Sequence, residues 1–493
     1  MGNQHITSGT VITDTNSSAL VESGGGIITV DSNAFIFALA PGPGDAIELN
    51  GGPYTVTING GVYSENDDGI DLVTIGSFLS TITVGANGTV FGVSQGIEAA
   101  HATNVTNAGT IRGEVNGVFE GGSGNFKISN SATGVIQGTD RGIFITNFGT
   151  HTITNAGLIS ASNDFAIQAS FGVEKVVNWG TIIGDVSLGG GDDVFTNFKK
   201  VGTHIKNGTF SGLTIDLGDG NDIFAGGAHR EEVQDGNGSD TVKLGGGTDF
   251  YVATGATGSD GTDIINAGQG IDSYDAGDAT NDVDINLDSV GHLGVTANTA
   301  KGTDISGGLV LKDSIFGFEA AAGGAGDDLI YGNKTANSLL GLEGIDTLFG
   351  LGGNDFLSGG DQSDLLIGGN GKDTLSNSGT GGPDGDLDLF VYLALSDSTV
   401  AKAGRDLISD FEDGVDKIDL LNLDAISGGS NDTFSFIGTN VAFSGAAGEL
   451  RVMQNASGAV VQGDVNGDGK ADFAIDVQDP NHLITWSSAD FAL

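Results

Sequence analysis

The chain has no cysteine and only five prolines, and its acidic residues outnumber its basic ones by 64 to 18. Without cysteine no disulfide can staple the fold, which leaves metal as the expected substitute. A formal net charge of −46 repels nucleic acid and anionic lipid, and argues against both as direct partners. The same charge opposes compaction until cations neutralise it. No stretch approaches eighteen uninterrupted apolar residues, so no transmembrane segment is expected. The opening MGNQHITSGTVITDTNSS has neither a basic n-region nor an apolar core, so an ordinary secretory signal is not expected either. Catalytic signatures are missing as well. There is no HExxH, and HREE at 229 has the wrong order. Serine elbows, phosphate loops and cysteine sites are absent. His5, His101, His151, His204, His229, His292 and His482 are scattered, and each is expected on the surface or in a turn.

What the chain has is glycine, 87 of them, with 38% hydrophobic residues at regular intervals. That composition folds, and it suits an elongated repeat body rather than one large globule. The clearest repeat is GLEGIDTLFGLGGNDFLSGGDQSDLLIGGNGKDTLS, residues 341–376. Each nine-residue unit has glycine first, an acid sixth and an apolar residue eighth. The register extends backwards through GGAGDDLIY and the weaker GNKTANSLL. The sixth position is then Asp328, Asn337, Asp346, Asp355, Asp364 and Asp373. The eighth is Ile330, Leu339, Leu348, Leu357, Leu366 and Leu375. This period is neither a helix nor a simple alternating strand, so the unit must stack on itself. Stacked aspartates repel each other unless a cation lies between them. Carboxylates beside the exposed carbonyls of a glycine turn suit calcium, which takes about six to eight oxygens.

These nonapeptides resemble the RTX family, glycine-rich proteins of Gram-negative secretion. The resemblance implies a right-handed parallel β-roll in which two nonapeptides make one turn. The six-residue glycine–aspartate segment would be the calcium loop, and the three residues around the apolar position a short strand. Equivalent residues then lie eighteen apart. Asp328, Asp346 and Asp364 form one column; Asn337, Asp355 and Asp373 form the other. Gly324, Gly326, Gly344, Gly353 and Gly371 are the loop glycines expected to offer carbonyls. Asn337, Lys334 and Thr335 depart from the pattern, which weakens the first site of the second column.

The chain falls into three expected regions. Residues 1–185 carry a looser repeat, with NAGTIRG at 107–113 returning as SATGVIQG, NAGLISA and NWGTIIG. Two or three short strands per turn of some 23 residues is the arithmetic of a right-handed parallel β-helix. Asn107, Asn155 and Asn178 would stack as an internal ladder. The pattern resembles autotransporter passengers and other bacterial surface β-helices. The first forty residues have too little periodicity to place as rungs, and read as a cap or a strand donated to a neighbour.

Residues 186–385 form the calcium-binding roll. Ahead of the regular block, Asp193, Asp222, the pair Asp240 and Asp249, and the pair Asp263 and Asp272 lie in loop-like units with irregular spacing. A linking stretch from VDINLDSV to FEAAAGG reads as a small strand excursion. Residues 386–493 resemble the C-terminal domain of serralysin-type proteases and their relatives, which implies a β-rich cap carrying a signal for a type I exporter. DLDLFVYLALSDSTV, GDVNGDGKADFAIDV and the terminal SSADFAL carry that likeness. Asp464, Asn466, Asp468 and Asp472 are spaced like an EF-hand loop, but Ile475 stands where the bidentate glutamate belongs. A metal loop and an Asx-held turn both remain open there.

The expected protein is all-β: a parallel β-helix continuing into a calcium-binding β-roll with a β-rich cap. The expected function is a secreted, calcium-dependent structural or adhesive protein of the cell surface, of surface-layer or matrix type. It would be exported without an N-terminal signal peptide, and would bind calcium and self-associate. Cell-surface polysaccharide is a further candidate partner. No enzymatic activity is expected. The alternatives are a soluble adhesin, or a polysaccharide-active lyase, epimerase or glycosidase with an RTX tail. Arg112, Lys127, Arg141 and Lys175 are the only cations between residues 40 and 185, few for neutralising a polyuronate.

Overall fold

The computed structural model describes all residues except 1, 40–43, 202, 213, 254–260, 304–308, 378–384, 429–431 and 482. His482 and part of the linking stretch therefore lie outside the described residues. The regular structure is almost wholly β-strand, with two short 3-10 turns and no α-helix among the described residues. Among the described residues no helix is long and apolar enough to cross a membrane. Two compact units divide the chain, Met1–Phe250 and Tyr251–Leu493.

The first unit is a parallel β-helix whose rungs stack apolar on apolar. Ile28 pairs in register with Val56, Val56 with Ile82, Ile82 with Val105, and Val105 with Ile128. Ile153, Val176 and Phe195 continue the same stack. All of these side chains are buried, and each contributes on the order of 1.5–3 kcal/mol through removal from water. Outward neighbours alternate with them, as the two-residue period of a strand requires. The pairing of Val173–Asn178 with Val194–Thr196 runs through the expected boundary at 185 without a break. The compact units part between Phe250 and Tyr251.

Residues 2–39 are neither a cap nor a donated strand. Gly2–Ile6 pairs in parallel with Gly26–Val30, and Val11–Asp14 with Phe35–Ala38. They are ordinary rungs. Their period was invisible because buried positions are filled by residues as different as Ala34, Ile36 and Ala38.

The second unit contains the regular nonapeptides. Ile330 pairs with Leu348 and Leu348 with Leu366; Leu339 pairs with Leu357 and Leu357 with Leu375. Each pair is eighteen residues apart, and all six side chains are fully buried. Two nonapeptides thus make one turn. The linking stretch is an antiparallel excursion of Val283–Asn286, Thr299–Thr303 and Leu309–Phe316. Toward the C-terminus, Glu449–Asn455, Gly458–Asp464 and Phe473–Gln478 form an antiparallel sheet. The terminal Phe491–Ala492 joins the parallel stack beside Lys417–Asp419. A capping box between Ser487 and Asp490 turns the chain into that last strand.

Candidate metal centre

Every acid at the sixth position of the regular block is buried, between 0% and 3% exposed. The β-stack explains why. The sixth residue precedes the buried strand position by two, so its side chain points inward beneath the glycine turn. One carboxylate oxygen is consumed by the backbone of the rung before. The N–H of Asp328 donates to Asp346 Oδ1, that of Asp346 to Asp364 Oδ1, and that of Asp355 to Asp373 Oδ1, each at 2.8 Å. Asn337 N–H donates to Asp355 Oδ1 at 2.8 Å. These bonds follow the two columns, eighteen residues at a step.

The other oxygen is the informative one. Asp346, Asp355 and Asp373 Oδ2 are buried with no hydrogen-bond partner. A buried carboxylate oxygen left bare costs several kcal/mol, so these atoms call for a proton or a cation. Burial pushes Asp346 up to about 7 and Asp355 to about 8. It raises Asp373 to about 6. The glycines beside these oxygens are obligatory. A Cβ on Gly341 would stand 2.0 Å from Asp346 Oδ2, and one on Gly350 2.5 Å from Asp355 Oδ2. Loop carbonyls lie equally close to the neighbouring turn. A Cβ on Gly344 would meet the Gly326 oxygen at 1.9 Å, and one on Gly371 the Gly353 oxygen at 1.5 Å. The donor set is oxygen throughout, anionic and buried. It fits a hard divalent ion such as calcium.

The earlier acids repeat the pattern within the first unit. Asp193 N–H donates to Asp222 Oδ1 at 2.6 Å, and Asp222 N–H to Asp240 Oδ1 at 2.5 Å. Asp193 and Asp222 each keep a buried Oδ2 without a partner. Burial raises Asp222 to about 8. Asp249 Oδ1 accepts the Glu231 N–H at 2.8 Å. In the second unit Asp263 and Asp272 are fully buried.

Asp328 keeps no bare oxygen, because Val283 N–H and Gly324 N–H take one each at 2.7 and 2.6 Å. Gly324 here is a donor, and a Cβ on it would meet the Ala279 oxygen at 2.4 Å. Asp464, Asn466, Asp468 and Asp472 lie in a turn with Asx-type hydrogen bonds. Asp464 accepts from Gly467 and Gly469 N–H, while Asp472 accepts from Val465 and Asn466. Asn466 Oδ1 accepts from Asp468, and Asp468 Oδ1 from Lys470. None of these oxygens is both buried and bare. His101 and His151, expected on the surface or in turns, are buried at 1% and 0%.

Several acids of the columns escaped the sequence. Asp388 Oδ1 accepts from Asp364, Asp406 Oδ1 from Asp373, and Asp416 Oδ1 from Asp388. Asp406 Oδ2 is bare, and burial pushes its carboxyl up to about 9. Intervals of 24, 33 and 28 residues hid them from a search at eighteen. The signal that survives is an acid two residues before a buried apolar one: Asp388 before Phe390, Asp406 before Ile408. Glu231 occupies the sixth position of GGAHREEVQ, where glutamate replaces the aspartate being sought.

The family model for the peptidase M10 serralysin C terminal matches residues 243–487. That stretch is an RTX, serralysin-type module. It is of the secreted, calcium-binding kind, and type I export goes with it. Two solved structures are similar in part. One is a subunit of the Azotobacter vinelandii mannuronan C5-epimerase, at 23% identity over 34% of this chain and 77% of that one, with a TM-score of 0.17. The other is the extracellular lipase of Serratia marcescens, at 18% identity over 61% of this chain, with a TM-score of 0.19. The matched part spans 45% of the lipase. No curated protein matches the chain.

Proposed function

We propose that the chain is a secreted structural or adhesive protein of the cell surface, of surface-layer or matrix type, folded by calcium. One observation carries the reading: Asp193, Asp222, Asp346, Asp355 and Asp373 each leave a buried carboxylate oxygen bare in the stack. The ligands would be Asp193, Asp222, Asp240, Asp249, Asp263 and Asp272, with Asp346, Asp355, Asp364 and Asp373 of the regular block. Carbonyls of Gly326, Gly344, Gly353 and Gly371 would complete them. Calcium supplies the positive charge that these columns lack, and here it holds a fold rather than a substrate. Self-association follows from the same charge logic, since calcium screens 46 net negative charges and bridges acids between copies. Electron microscopy of the chain with calcium and with chelator tests the reading. Sheets or filaments in calcium support it. Monodisperse monomers in both would sink the structural role.

A second reading, a polysaccharide-active enzyme, has one observation in its favour. Asp45, Asp68 and Asp71 converge on the β-helix with carboxylate oxygens within 4.8 Å of one another. Burial and the acids around them raise Asp45 to about 6 and Asp71 to about 8, and hold Asp68 protonated well above the usual carboxylate range. Carboxyls kept protonated beside ionised ones are the raw material of a glycosidase. Turnover of uronate or neutral polysaccharide, lost in Asp68→Asn, would transfer support to this reading.

A further inference from the structure

Glu174 lies within the β-helix, outside residues 243–487, and no nonapeptide motif marks it. Its surroundings are nonetheless those of a metal loop. In ASFGVEKVV, residues 169–177, Gly172 stands fourth, Glu174 sixth and Val176 eighth. Gly172 has a φ of +126°, against +124° at Gly344 and +125° at Gly353. Glu174 N–H donates to Asp193 Oδ1 at 2.6 Å, as Asp328 N–H does to Asp346. A Cβ on Gly191 would meet the Gly172 oxygen at 1.4 Å, as one on Gly371 would meet that of Gly353 at 1.5 Å. The backbone of a calcium loop is present, with glutamate for aspartate.

The side chains point the same way. Glu174 is fully buried and neither of its carboxylate oxygens has a partner. Asp193 Oδ2, equally buried and bare, belongs to a carboxyl within hydrogen-bonding reach of it. Two carboxyls facing each other in the interior need either a shared proton or a cation between them, and a cation satisfies both when they are ionised. A bridging water would leave both charges in place.

His151, one rung earlier, chooses the ion. Its Nε2 is buried and without a partner, 3.9 Å from Glu174 Oε1. Its Nδ1 accepts the Phe126 N–H at 3.2 Å. The ring proton of the neutral imidazole therefore sits on Nε2, facing Glu174, where it cannot ligate a metal. The donors left are all oxygen, which selects a hard ion over zinc.

We infer that Glu174 and Asp193, with main-chain oxygens of the Gly172 loop, bind a calcium ion inside the β-helix. The inference rests on the calcium reading of the columns, and it moves their start to a segment that no repeat announces. His151 lies one rung earlier, 3.9 Å from Glu174, and adds no ligand to the oxygen set.

The test counts ions on the full chain by equilibrium dialysis against calcium. Glu174→Gln should bind one fewer calcium than the wild type, and Asp346→Asn serves as the control within the roll. Hydrogen exchange at residues 172–178 should slow on adding calcium to the wild type but not to Glu174→Gln. If Glu174→Gln fails to fold, Glu174→Met removes the charge at similar volume and should also lose one ion. Full stoichiometry in either variant, with Asp346→Asn reduced, overturns this site and leaves the roll sites standing. A wild type that binds no calcium overturns both. Tighter binding of zinc than of calcium, abolished by His151→Gln, would overturn the oxygen-only assignment.

Discussion

The side-chain amide of Asn197 donates to Glu231 Oε1 at 2.8 Å, and the Glu231 N–H donates to Asp249 Oδ1 at the same distance. An internal asparagine ladder thereby runs straight into a column of acids. Upstream, Asn107, Asn130, Asn155, Asn178 and Asn197 each pass an amide proton to the next at 2.7–2.9 Å. Neutral amides and metal-seeking carboxylates occupy equivalent corners of the same stack. The chain changes chemistry there without changing geometry.

The ladder can be probed where it is purely amide and where it meets acid. Asn155 donates to Asn178, Gly157 and Thr181, and accepts from Asn130. Asn155→Ala should cost about 1–3 kcal/mol for each buried group it strands, equally in calcium and in chelator. Asn197→Ala also releases Glu231, so its cost should differ between the two conditions. Denaturant unfolding of both variants under both conditions decides. Equal losses for Asn197→Ala would show that the ladder and the acids do not communicate.

Asp346 and Asn337 separate metal binding from packing. Asp346 keeps a bare buried oxygen between two acidic rungs, and Asp346→Ala should raise the calcium midpoint of folding several-fold. Asn337 is satisfied without an ion: its Oδ1 accepts from Asn333 at 2.7 Å and its Nδ2 donates to Glu319 at 3.1 Å. Asn337→Ala should lower stability yet leave the calcium midpoint nearly in place. Circular dichroism titrations would show equal midpoint shifts if the eighteen-residue columns were not metal sites.

Protons should compete with calcium, with a defined sign. Asp373, Asp346 and Asp355 are raised from 3.8 to about 6, 7 and 8 by burial. The folded chain therefore holds these protons more tightly than the unfolded chain does. In chelator their stabilising contribution is complete below about pH 4 and is lost as pH rises through 6 to 8. The melting temperature in chelator should fall over that window. Other acids push the same way, so calorimetry in buffers of different ionisation enthalpy is the sharper check. Calcium binding at pH 6 should release protons. Binding without release would contradict buried, protonated sites.

Gln362 has a φ of +79° at the fourth loop position, where Gly344, Gly353 and Gly371 have φ of +124°, +125° and +156°. An L-residue there costs roughly 1–2 kcal/mol, partly offset by the entropy glycine loses on folding. Gln362→Gly should stabilise the roll by up to about 1 kcal/mol. A loss in urea midpoint would show that the Gln362 side chain contributes more than its backbone costs.

The parts of the fold that sequence exposed were those with a fixed period. Asp346, Asp355 and Leu348 recur every nine residues because glycine turns of constant length separate them. Asn155 and Asn178 were legible because the turn after each has the same form. Asn130 and Asn197 were not, since SNSATG and TNFKK disguise the motif around the same buried amide. Strand-to-strand steps of 28, 26 and 23 residues in the first unit obscured Gly2–Ile6 and its neighbours. Glu231 and Asp406 were missed for different reasons, one in residue type and one in spacing. Burial, which unites them with the regular block, is not written in any single residue.

The amides of the column acids all point one way. Asp346 gives its N–H to a residue eighteen positions later, and Asp364 gives its own to Asp388. The residue after each acid answers in the opposite direction: Thr347 N–H donates to the Asp328 carbonyl, Leu365 N–H to that of Asp346 and Thr374 N–H to that of Asp355, each at 2.8 Å. Each rung is thus tied to its successor by the acid's own amide and to its predecessor by the next amide along. Removing any one rung strands donors on both of its neighbours, so the stack is laced like a shoe, and no eyelet can be skipped without slackening the two beside it.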